Sequence, residues 1–162
     1  MPRFFSPLLL AALTLSAGYA QAQSAAHEEH IRASTRSAKN LFFASGAPAL
    51  QKSIDACYQG ADQKPSFDAF FLEAERCLAE DSVGLIVFVA HKRGMEKLGK
   101  SFDDPFFNPD AHKSRKAAFL KNRSFSGGED TKFTDRIFAI AYDEFMRPSP
   151  GPAQPPLKPE TK

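Results

Sequence analysis

The stretch DSVGLIVFVAHKRGMEKLG, Asp81 to Gly99, decides the fold class of this chain, because it reads as either of two structures. Its centre, Val83 to Ala90, is β-branched and aromatic, the composition of a buried strand. Its ends favour a helix. Asp81 or Ser82 can cap the start, and His91, Lys92, Arg93 and Lys97 put cations where the negative end of a helix dipole would lie. A strand would also need a partner, and no second clear strand can be read in the chain. The segment is therefore expected as a buried helix.

Working outward, the remaining periodic segments are also helical. Ile31, Ala38, Leu41, Phe42 and Ala44 share a face across residues 28–45, and Gly46-Ala47-Pro48 stops that helix. Pro48 suits the first position of a second helix, 48–59, in which Leu50, Ile54 and Cys57 line up. Ser66 is a suitable N-cap for a third, 66–80, with Phe70, Cys77 and Leu78 on its apolar stripe. Asn108 and Pro109 read as N-cap and first residue of a basic helix, 110–123. SFSGGED, Ser124 to Asp130, is expected as a loop before a last helix, 131–147. The expected fold class is all-α, a compact array of five or six helices with one disulfide.

The first 22 residues suggest a compartment. Arg3, the apolar run Pro7 to Leu15 and the small-x-small site Ala20-Gln21-Ala22 have the form of a cleaved signal peptide, residues 1–22. The expected location is periplasmic or secreted. No later apolar run is long enough to span a bilayer, so no transmembrane anchor is expected. In an oxidising compartment the chain's two cysteines, Cys57 and Cys77, are expected to pair as a disulfide. Their spacing is neither CxxC nor that of a structural zinc site. The helical domain then covers residues 23–146. Residues 147–162 are proline-dense and almost free of apolar side chains, which predicts a disordered tail.

Charge excludes a dedicated nucleic-acid binder. The whole chain has 21 basic and 19 acidic side chains, and losing the leader removes only Arg3, leaving a net charge near +1. The charge is unevenly spread, with an acidic excess from Asp55 to Asp81 and a basic excess from His91 to Arg123. Two faces that attract each other within one fold account for this, as does a surface that steers a partner.

No catalytic motif is present, and neither a catalytic residue nor a cofactor is expected. HEEH, His27 to His30, places two histidines at i and i+3, whereas the metalloprotease pattern needs i and i+4. His27 and His30 remain candidate metal ligands, with His91 or His112 completing a shell. The loop Ser101 to Pro109 holds three phenylalanines, more than a connection of that length can easily bury. Phe102, Asp103, Asp104, Phe106 and Phe107, with Lys113, Arg115 and Lys116 on the next helix, are therefore the expected contact surface for a protein partner. The functional expectation is an exported, non-catalytic protein-binding domain of the inhibitor, immunity or envelope-accessory kind. The alternative is a metal-binding protein or small hydrolase using His27, His30, His91 or His112.

Overall fold

The computed structural model of the chain describes residues 8–121 and 129–148, with side chains from Ser24 onward except that of Phe67. These residues form α1 (Leu8–Ala61), α2 (Phe67–Lys97), α3 (Pro109–Leu120) and α4 (Glu129–Met146), with no strand among them. The expected loop 124–130 falls largely outside the described residues, and so does the tail beyond Pro148. The backbone of α1 runs through the expected cleavage point between Ala22 and Gln23.

Four elements stand where five or six helices were expected, and Gly46 and Asp81 account for the difference. The break expected at Gly46 is present: Gly46, at φ 79° and ψ −177°, is non-helical and divides α1 into two helical arms, which are numbered as one element. A side chain at that φ would be strained, so glycine is the residue that turns the chain. Pro48 follows in the first turn of the second arm, where a missing N–H leaves no helical bond unmade.

The second difference is at Asp81, where a helix start was expected and none occurs. α2 runs unbroken for 31 residues. Ser82 bonds back to the Leu78 carbonyl, as serines inside helices do, and Asp81 is fully buried among tertiary partners. Ser66 and Asn108 are the real N-caps, accepting from the Ala69 and Ala111 amides at 3.2 and 2.8 Å.

The bend makes α1 a hairpin. Along its first arm His27 meets Glu75 while Phe42 lies beside Val87 and Phe88, so this arm runs parallel to α2. Along the second arm the order reverses, with Ile54 against Gly84, Ser53 on Glu80 and Cys57 bonded to Cys77. α3 returns antiparallel to α2, and α4 runs parallel to it, packing Ile137 against Ile31, Leu78 and Ala79. Every helical arm thus touches α2, which supplies the centre of the core: Phe70, Ala74, Cys77, Leu78, Val83 and Phe88.

The Cys57–Cys77 disulfide fastens the second arm of α1 to α2, with Cα atoms 5.4 Å apart and both cysteines buried. It closes a separation of 20 residues, which on the chain-entropy account stabilises the fold by about 3 kcal/mol. Urea unfolding of the Cys57→Ala, Cys77→Ala double variant is expected to show a loss of that size. A loss below about 1 kcal/mol would show that the helices hold each other without the bridge.

Candidate functional site

The residues expected to face a partner are instead largely turned into the protein. Phe107 is buried, and its ring lies directly over Gly84 of α2. Phe102 packs on Phe88 and His91. Phe106 lies under the Arg115 guanidinium, 3.9 Å from ring centroid to Cζ. Asp104 turns the loop, accepting from the Phe106 and Phe107 amides at 2.9 and 3.0 Å. Lys116 reaches Thr134 on α4 at 3.4 Å. Asp103 and Lys113 are exposed.

Arg115 belongs to a buried polar cluster that the sequence did not reveal. It grips Asp81 through Nη2 at 2.6 Å and Nε at 3.2 Å, and donates to the Phe106 carbonyl. The Tyr58 hydroxyl donates to Asp81 at 2.9 Å. His112 Nδ1 stands 3.3 Å from the same carboxylate but out of line for a hydrogen bond. Burial pushes the Asp81 carboxyl up, yet His112 and Arg115 outweigh it and hold the group below its ordinary range. Burial, then the Asp81 charge, pushes the Tyr58 phenol well above its ordinary value. The cluster joins α1, α2, α3 and the loop before α3. His112 also lines a cavity of about 210 Å³ with Ser82 and Thr134. Both hydroxyls are bonded to helix carbonyls and Asp81 is committed to Arg115 and Tyr58, so the group is built as a fastener.

The histidines are not brought together. His27 Nδ1 lies 2.9 Å from Glu75, His30 Nε2 lies 3.0 Å from the Leu72 carbonyl, His91 stacks edgewise on Phe102, and His112 faces Asp81. Cys57, Glu73 and Cys77 cluster ligand-type atoms within 4.8 Å, but both sulfurs are spent on the disulfide. Part of the acidic run is internal too. Glu75, Glu80 and Asp81 are buried, each against its own donor: His27, Arg76 and Arg115.

What stands open is an apolar slot at the hairpin end of the bundle. Its inner part is a cavity of about 270 Å³ lined by Leu50, Gly84, Phe88, Phe102, Asp104 and Phe107, among others. Its outer part is a groove of about 540 Å³ walled by Phe43, Ala90, Gly94, Met95, Leu98 and Phe145. The two share Phe42, Val87 and His91 and so lie side by side. At the rim of the slot Phe43 is 68 % exposed and Leu98 70 %, with Met146 61 % exposed one residue beyond Phe145.

Of the residues expected to bind a partner, Phe102, Asp104 and Phe107 line this slot from inside. The rim residues Phe43, Met95, Leu98 and Phe145 were missed. Their sequence signal is slight: apolar residues just before Gly46 and Gly99, and a glycine, Gly94, inside a helix. Among the described residues no helix is long and apolar enough to cross a membrane. Compared with protein-family models, curated proteins and solved structures, the chain matches none.

Proposed function

We propose that the protein is an exported, non-catalytic binding domain of the inhibitor, immunity or envelope-accessory kind, and that the apolar slot holds a segment of its protein partner. The observation that carries this reading is the slot itself. Two large apolar side chains, Phe43 and Leu98, stand exposed on a groove that lies beside a cavity lined by Phe88 and Phe107. The Asp81 cluster fastens the loop that carries Phe102, Asp104 and Phe107, so this side of the inner cavity is held before association. The leader-like residues 1–22 support export, and the paired cysteines are consistent with an oxidising compartment.

The test is site-specific photo-crosslinking in the native cells. A photoreactive residue at Leu98 or at Phe43 should trap the same discrete protein, whereas one at exposed Gln59, near the other end of the hairpin arm, should not. Gly94→Trp, which puts a ring into the groove where an added Cβ meets nothing within 4 Å, should abolish the adduct without lowering the melting temperature. Equal adducts from all three positions, or none from the slot, would overturn the reading. Sequencing the mature N-terminus near Gln23 tests export separately.

A further inference from the structure

We infer that the partner segment is an amphipathic helix whose apolar face enters the groove and whose polar flank is acidic. The inference rests on the slot reading and names the chemistry of its partner. One wall of the groove is a single helical stripe of α2: Val87, Ala90, His91, Gly94, Met95 and Leu98, at spacings of one to four residues. It runs for roughly 16 Å, about three helical turns. Phe42 and Phe43 of α1 and Phe145 of α4 complete the walls. Ala90 and Gly94 leave the middle of the stripe shallow, so a second backbone can approach closely.

The fold also limits what can lie there. An extended peptide that adds to a sheet edge has no edge to meet, since the described residues contain no strand. A helix satisfies its own backbone and needs from the groove only apolar contact.

Charge sets the flank. Lys92, Arg93, Lys97 and Lys100 surround the end of α2, all exposed and without an ion-pair partner among the described residues, and Glu96 is the acid among them. Elsewhere Arg32, Arg36, Arg76, Arg115 and Arg147 are each paired with a carboxylate, while exposed Lys52, Lys113, Lys121 and Lys132 have no ion-pair partner among the described residues either; what sets the end of α2 apart is its position beside the groove. A cation in the last turn complements the helix dipole, which accounts for Lys97 but not for Lys100 beyond the helix or Lys92 more than a turn before its end. Lys92, Arg93, Lys97 and Lys100 do not line the groove itself, but their unpaired charge at the same end of α2 attracts and orients an acidic flank.

The probes are two synthetic helical peptides with the same leucine and phenylalanine face, one with glutamate on its polar face and the other with lysine. The glutamate peptide is expected to bind roughly tenfold or more tightly than the lysine peptide, with the advantage shrinking as salt rises. Arg93→Glu, Lys97→Glu and Lys100→Glu together should reverse the preference, and Gly94→Trp should remove binding of both. Equal binding of the two peptides, lost in Gly94→Trp, overturns the acidic flank and leaves the slot reading standing. If neither binds while the Leu98 cross-link persists, the helical partner is wrong. If the cross-link fails as well, both readings fall. Tighter binding of a synthetic 149–162 peptide from this chain, or Leu98-dependent sedimentation with phosphatidylglycerol vesicles in place of peptide binding, would also overturn the inference.

Discussion

Asp81→Ala is expected to cost the fold about 3–5 kcal/mol, because it leaves a charged group without its partner inside the protein. Arg115 would keep its position against the Phe106 carbonyl while losing both of its bonds to the carboxylate, and the Tyr58 hydroxyl would lose its acceptor. Adding Arg115→Met should recover part of the loss, since the unpaired charge is then gone. Denaturant unfolding of the single and double variants measures this, and a single-variant loss under about 1 kcal/mol would remove the cluster from its fastening role.

The same group predicts a pH dependence. The Asp81 carboxyl is held below its ordinary range in the folded protein, so its contribution is complete above the unfolded value of about 4 and fades as pH falls through the lower folded value. Wild-type stability should therefore decline on acidification below about pH 4, with part of that decline absent from Asp81→Ala.

Phe107→Ala is expected to cost about 3–5 kcal/mol as well, by a different mechanism, since it empties a filled site in the core. The ring sits so close to α2 that a Cβ at Gly84 would lie 2.4 Å from Phe107 Cδ1. Gly84→Ala should then cost about 1–3 kcal/mol by crowding, despite alanine's better helix propensity. In the double variant the crowding is relieved, so the combined loss should be clearly smaller than the sum of the single ones. Strict additivity in urea unfolding would show that the ring and the glycine do not meet in solution.

The legible parts of this fold were those decided locally. The caps at Ser66 and Asn108, the turn at Gly46 and the helical state of the valine-rich segment each depend on residues a few positions apart. The disulfide was legible because a pair of cysteines offers one intramolecular pairing. Asp81 was misread as a cap because its partner Arg115 lies 34 residues away, and nothing local separates a capping carboxylate from a buried one. The three loop phenylalanines were expected to be more than the loop could bury because the surface that covers them was not visible, although Gly84 in the middle of an apolar run is the mark of a close approach. The slot was illegible because its walls come from residues 42–43, 87–98 and 145, and no one of these segments is unusual alone.

The turn at Gly46 also bears on the order in which the molecule assembles. It makes the second arm of α1 and α2 neighbours in sequence as well as in space, so the core around Leu50, Ile54, Val83 and Phe88 closes over short loops. The seam between the first arm and α4 is different. Arg32 and Arg36 meet Glu144 across more than a hundred residues, and Lys39 holds the carbonyls of Phe145 and Arg147 from as far away. That seam joins the two ends of the helical part, so α4, which supplies Phe145 to the outer wall of the slot, is expected to dock after the bridged pair of helices.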